Sequence, residues 1–299
     1  LKEWTKICLI YTLKNDDMID IKVEDILLSK KITKVIREDF YIFEADSFLP
    51  IDFYRALNKS FPEKSLLEAM ALSTSKNNQY YNRLVLKFNA SNLNKESDDF
   101  FIKNQEWGLF ISLLTDKRFI YDALDLFGKP ISDHKGIKYY LRKNVYSKYV
   151  KKNPTIVNKL VNKLVNKVDI NFTFSVSGPS EGLFPHTDSN NKLITLLLYF
   201  PEKDWKTEYH GETSFFKLKN NVSRNKKNKW GLLGKRNFHI SDPKLVSEFR
   251  ESHDLLYKSK YKPNILAGFV KNDISWHAID PITCPKNKLR RVFIINIKK

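Results

Sequence analysis

Residues 169–200 read DINFTFSVSGPSEGLFPHTDSNNKLITLLLYF, and this stretch sets the fold class. INFTFSV and KLITLLLYF are short apolar runs, rich in β-branched and aromatic residues and bounded by Gly, Pro, Ser and Asn, which is the pattern of strands. Runs of the same texture follow: ETSFFKL (212–218), NILAGFV (264–270) and RVFIINI (291–297). Several short strands separated by turn signals predict a sandwich or barrel over residues 169–299. A polar stretch, 217–263, interrupts them. Its first part, Lys217 to Arg236, holds eight basic residues and no acid, and an interruption of that length is expected to be a lid, a binding loop or a disordered insertion.

Upstream, helical spacing dominates. FYIFEADSFL (40–49) suits a strand running into Pro50, after which Phe53, Leu57 and Phe61 recur at helical intervals. Residues 105–126 continue the helical pattern, with Gly128 as the expected stop. The repeat VNKLVNKLVNKV (157–168), preceded by Asn153 and Pro154 as cap and first-turn proline, predicts an amphipathic helix seated on the core. The acid-free stretch Arg142 to Lys167, with eight basic residues, has a second reading as a docking surface for a polyanion or an anionic membrane. The expected class is α+β. Residues 1–299 are read as a single domain, with a mainly helical layer (1–168) backing a β core (169–299).

Composition narrows the function classes. With 299 residues, 42% hydrophobic, 13% aromatic and 29% charged, the chain is neither disordered nor of low complexity. Fifty-two Lys+Arg against 34 Asp+Glu give a net charge of +18, a field that favours anionic partners. Two cysteines, Cys8 and Cys284, cannot form a disulfide framework, so a reducing cytoplasm is expected. Apolar runs such as Ile7 to Leu13 and Ile194 to Phe200 are far shorter than the roughly 20 residues of a transmembrane helix, and no secretory signal is visible.

Within the β region, His186-Thr187-Asp188 stands where strand meets turn. Residues i and i+2 of extended backbone point the same way, so His186 and Asp188 can offer an imidazole nitrogen and a carboxylate oxygen to one ion. Far downstream comes Ser275-Trp276-His277. A third ligand from such a distant strand would complete two histidines and one carboxylate on one face of an octahedron, the ligand set of non-haem Fe(II) oxygenases. His134, His239 and His253 fall outside this order.

The succession HTDSNN, LLLYFP, DWKTEYHGETSFF, SWHAI and LRRVFIINI, across residues 170–297, resembles the 2-oxoglutarate and Fe(II)-dependent dioxygenases, in particular their prolyl-hydroxylase-like branch. The segment FYIFEADSFLPIDFY is similar to that family's N-terminal lead-in. The resemblance implies a double-stranded β-helix, or jelly roll, that uses Fe(II), 2-oxoglutarate and O2 to hydroxylate an unactivated C–H bond, with release of succinate and CO2. It implies that His186, Asp188 and His277 hold the metal and that Arg290 clamps the distal carboxylate of 2-oxoglutarate, with Tyr199 and Thr195 beside it. Arg291 is the alternative clamp, since one residue of register turns a side chain to the other face; the spacing of Arg290 from Thr283-Cys284-Pro285 favours Arg290. Two positions depart from the family pattern: Val292 replaces its serine or threonine, and His210-Gly211 its glycine pair.

A small or carrier-linked substrate, anionic in character, suits the basic insertion, with His210, Lys226, Lys227 and Lys229 as candidate contacts. Two rival classes compete. One is a nucleic-acid- or polyanion-binding protein with a vestigial metal site, although the chain carries no standard nucleic-acid-binding module. The other is a metal-binding cupin without oxygenase activity, which has no use for Arg290.

Overall fold

The computed structural model describes residues 20–73, 84–89, 95–135, 168–235, 240 and 242–299. The VNK repeat up to residue 167, the basic stretch 142–167, Cys8, Arg236 and His239 lie outside them.

Helices and antiparallel sheets are mixed. In chain order the elements are α1 (Leu28–Lys31), β1 (Lys34–Arg37), β2 (Tyr41–Ala45), α2 (Ile51–Lys59), α3 (Lys64–Ser73), β3 (Leu84–Asn89), α4 (Lys95–Lys103), α5 (Gln105–Thr115), α6 (Lys117–Leu126) and α7 (Gly128–Lys135). Then follow β4 (Asp169–Ser177), β5 (Leu183–His186), β6 (Lys192–Tyr199), β7 (Thr213–Leu218), α8 (Arg224–Lys235), α9 (Pro243–Ser252), β8 (His253–Lys258), β9 (Leu266–Val270), β10 (His277–Ile279) and β11 (Arg290–Lys298). Seven strands form one sheet in the order β1-β2-β9-β6-β11-β4-β3, and four form a second in the order β5-β10-β7-β8. From β4 onward the chain repeatedly crosses from one sheet to the other.

The pleat of the large sheet sorts its residues into two faces. Ile194, Leu196, Leu198 and Phe200 from β6 and its end, with Phe293, Ile295 and Ile297 of β11, enter one core with Phe53, Trp107, Phe110 and Phe119 from the helices. Trp107 meets Phe174 edge-on at 4.7 Å and donates its indole N–H to the Ser60 carbonyl. Each such aromatic contributes roughly 1.5–3 kcal/mol by leaving water. The helices therefore cover the sheet as their apolar faces require. The alternate residues, Thr195, Leu197 and Tyr199 of β6 with Arg290, Val292 and Asn296 of β11, occupy the opposite face.

Two expectations need correction. The helical stretch 105–126 does end just before Gly128, at Leu126 with Phe127 as its cap, but Gly128 then opens α7, and an unforeseen break falls at Asp116, whose carboxylate accepts from the Arg118 N–H at 2.8 Å and caps α6. Nor is the segment 217–263 a loop between core strands. It folds as α8, α9 and the edge strand β8, which pairs with β7. HDLLYK was hidden because helix α9 runs into it without a break and because its exposed side, with Asp254 and Leu255, lacks a strand's alternation.

His253, at the α9–β8 junction, stacks on Phe249 at 3.9 Å, and burial pulls its pKa down to about 4, opposed by its bond to the Phe249 carbonyl. Below the ordinary value of 6.5 the unfolded chain takes a proton that the folded one refuses, so stability is lost as pH falls from 6.5 to about 4. Between pH 7 and pH 5 the loss from this group should be about 2 kcal/mol. Denaturant titrations of the His253→Phe variant should show a correspondingly flatter acid limb; an unchanged limb would exclude His253 as its source.

Candidate functional site

His186 ends β5 and His277 begins β10, and the two are directly opposed in the antiparallel register, their rings 4.2 Å apart. Asp188 lies two residues beyond His186. One ligand atom from each of the three falls within 4.8 Å of the others, and all three residues are buried. The Nδ1 of His186 lies 2.9 Å from the Phe184 carbonyl and that of His277 lies 3.0 Å from the Ser275 carbonyl. A carbonyl can only accept, so each Nδ1 carries the hydrogen and Nε2 is the basic nitrogen of the neutral ring. Burial lowers the His277 pKa to about 4 against the opposing pull of Asp188, which keeps the ring neutral at pH 7. Two imidazoles oriented by backbone carbonyls, together with one carboxylate, suit a divalent transition metal such as Fe(II).

Asp188 is held from both sides. Lys192 Nζ donates to Oδ1 at 2.6 Å and the Thr195 hydroxyl to Oδ2 at 2.7 Å, with Asn296 Oδ1 3.2 Å from that hydroxyl. Burial alone would raise the carboxyl's pKa, but the Lys192 ammonium and then the two histidines hold it far below the usual carboxylate range. Thr195, expected beside Arg290, instead belongs to this Asp188 network.

On the same face of the sheet Arg290 is 1% exposed. Its Nε donates to the Gly211 carbonyl at 2.6 Å, and its guanidinium carbon lies 5.8 Å from the Tyr199 ring and 5.5 Å from the Tyr261 ring. Its two terminal nitrogens donate to no group among the described residues, and burial pulls its pKa down. Arg291 turns to the helical side, donating to the Phe200 carbonyl and to Asn58 Oδ1, each at 3.0 Å. Strand alternation thus makes Arg290 the inward arginine. Tyr199 lies beside it, but its hydroxyl is already bonded to Thr213 Oγ1 at 3.0 Å and to Ser259 Oγ at 2.7 Å.

His210 is half-buried with φ 62° and ψ −151°, a region otherwise left to glycine, and its carbonyl accepts the Trp205 indole N–H at 2.7 Å. Gly211, at φ 119°, follows; a Cβ there would lie 2.7 Å from the Tyr261 ring. This turn presents the Gly211 carbonyl to Arg290. Lys226 and Lys227 are exposed on α8, whereas Lys229 is tied to Glu248 of α9 and lies over the Trp230 ring. None of these four residues joins the cluster of His186, Asp188 and His277.

No protein-family model matches the chain, and no curated protein matches it significantly. Solved structures do match. They include prolyl hydroxylases and a 2-oxoglutarate–Fe(II) oxygenase. A Pseudomonas putida prolyl-4-hydroxylase is 10% identical, over 87% of this chain and 94% of that one, with a TM-score of 0.39. A Trichoplax adhaerens prolyl hydroxylase, solved with a peptide fragment of hypoxia inducible factor, is 8% identical over 86% and 83%, with a TM-score of 0.39. A Burkholderia pseudomallei oxidoreductase of the 2OG-Fe(II) oxygenase family is 9% identical over 83% and 89%, with a TM-score of 0.35.

Sequence reasoning missed Lys192, Tyr261, Ser259 and the turn carbonyl of Gly211. Lys192 had a usable signal, since it follows Asp188 by four residues at the mouth of a strand. Tyr261 and Ser259 reach the site from the end of β8, the strand concealed in the polar segment.

Proposed function

We propose that the chain is a 2-oxoglutarate- and Fe(II)-dependent oxygenase on a double-stranded β-helix. The strand order supports that architecture: β4, β11, β6 and β9 adjoin in one sheet, β5, β10, β7 and β8 in the other, and the chain winds between them. The function rests on one observation, the coexistence of the His186–Asp188–His277 cluster with a buried guanidinium, Arg290, that among the described residues has no carboxylate bonded to it. A bare metal site has no need of such a cation, and its desolvation is costly unless an anion completes it.

In this reading His186, Asp188 and His277 hold Fe(II), and Arg290 grips the distal carboxylate of 2-oxoglutarate through its two terminal nitrogens. When bound, the iron and cosubstrate supply dioxygen activation and C–H oxidation, with release of succinate and CO2. The chain's own residues set the geometry. The backbone carbonyls of Phe184 and Ser275 fix the imidazole tautomers, Thr195 and Lys192 orient the carboxylate, and the Tyr199 and Tyr261 rings wall the guanidinium from water. Hydroxylation is the outcome we assign, because Asp188 fills the carboxylate position that related halogenating enzymes leave open. The exposed cations of α8 suit an anionic or carrier-linked substrate.

The test is an anaerobic titration of metal-free protein with Fe(II) and then 2-oxoglutarate. A visible charge-transfer band should appear on the second addition and be absent in His277→Ala. Tight Fe(II) binding without a band would leave a metal-binding cupin, and no Fe(II) binding would overturn the metal assignment.

A further inference from the structure

Helix α8 ends on the loops that carry the triad. The last carbonyls of a helix have no acceptor role within it and need outside donors. Here the Thr187 hydroxyl, from the residue between His186 and Asp188, donates to the Gly234 carbonyl at 2.6 Å. The Asn190 side-chain amide donates to the Lys235 carbonyl at 2.6 Å. Gly234 also abuts the turn before His277: a Cβ there would lie 1.8 Å from the Asp273 carbonyl oxygen, so only glycine lets the helix end sit between the two loops. One helix turn earlier, Trp230 meets Trp276, the neighbour of His277, edge-on at 5.8 Å, and both indoles are 1% exposed. Beyond the helix, the Ile240 N–H donates to the Pro185 carbonyl, next to His186, at 3.1 Å.

These contacts come from α8 and the chain just after it, and three of them, at Thr187, Trp276 and Pro185, touch a residue beside a triad member. We propose that α8 is a positioning element of the metal site. Thr187 and Gly234 lock the His186–Asp188 loop to the helix, Trp230 locks the His277 loop to the same helix, and the spacing of the ligands is set by that shared support. The helix also turns the negative end of its dipole toward the loop where a cation would be held. The inference rests on the reading that the triad binds a divalent metal.

Its test is equilibrium binding of Co(II), read by the visible ligand-field spectrum, beside thermal melts of the metal-free protein. Thr187→Val, which keeps shape and loses the hydroxyl, should weaken Co(II) binding roughly 10–100-fold, the usual cost of removing a group that orients metal ligands. Thr187→Ser should restore wild-type affinity. Gly234→Ala should match Thr187→Val; if it does not fold, the threonine pair decides alone. A Thr187→Val protein that melts earlier but binds Co(II) as tightly as wild type would overturn the positioning role and leave the metal site standing. Failure of the wild type to bind Co(II) would remove the metal reading and this inference with it.

Discussion

Arg290→Met should lose 2-oxoglutarate affinity on the order of 100-fold or more while leaving the ligand-free protein no less stable. The two expectations have one cause. A guanidinium that is 1% exposed and among the described residues makes a single side-chain hydrogen bond, from Nε to Gly211, has given up water without bonding a carboxylate, and the charge of Glu212 acts on it without a hydrogen bond. Its contacts with the Tyr199 and Tyr261 rings offset that cost only in part. Methionine removes the unpaired charge and fills similar volume, so the fold is relieved; an anionic ligand then meets a cavity with no counter-charge, a change worth about 2–5 kcal/mol. Arg290→Lys should also bind poorly, because an ammonium cannot present two parallel donors to a carboxylate. Calorimetric titration of 2-oxoglutarate into the Fe(II)-loaded variants, beside melts of the ligand-free proteins, separates the effects. A variant that melts far below wild type would mark Arg290 as structural; unimpaired binding would end its assignment as the clamp.

Asp188→Ala should abolish metal binding and also destabilise the metal-free protein by roughly 3 kcal/mol, since it strands Lys192. The Lys192 side chain is 18% exposed and its Nζ lies 2.6 Å from the Asp188 carboxylate, so its partner's removal leaves a largely buried cation without that counter-charge. Adding Lys192→Met to Asp188→Ala should recover most of the lost stability and none of the metal binding. That double-variant result distinguishes an ion pair from a packing defect: if Lys192→Met rescues nothing, the pair contributes little. The Asp188 pKa is depressed, so its stabilisation is fully present above the ordinary value of 3.8 and is lost only as pH falls through its still lower folded value. Loss of stability as pH falls from 6.5 to about 4 is therefore expected from the buried His253 and His277 rather than from Asp188.

Much of the β region was legible because strand periodicity is local. INFTFSV, KLITLLLYF, ETSFFKL, NILAGFV and RVFIINI became β4, β6, β7, β9 and β11, and FYIFEADSFL contained β2. Thr195 was the misleading residue. It shares a strand face with Tyr199, four residues on, but a strand rises about 3.3 Å per residue, so the two backbone positions lie about 13 Å apart and their hydroxyls serve different partners. One binds Asp188 and the other Thr213 and Ser259.

By itself the sequence determined the mixed class and the strands of the sheets' centres, because alternation is a property of short segments; it offered His186, Asp188 and His277 as candidate ligands by their donor chemistry, and Arg290 joined them only through the family resemblance. Tertiary structure alone decided that His186 and His277 oppose each other across one strand pair, and that Arg290 rather than Arg291 faces inward. It also decided that α8 ends on the triad loops and that Asn296 of the last strand meets Thr195 beside Asp188. These depend on register and on contacts between residues 47 to 101 positions apart, and no local pattern encodes such distances.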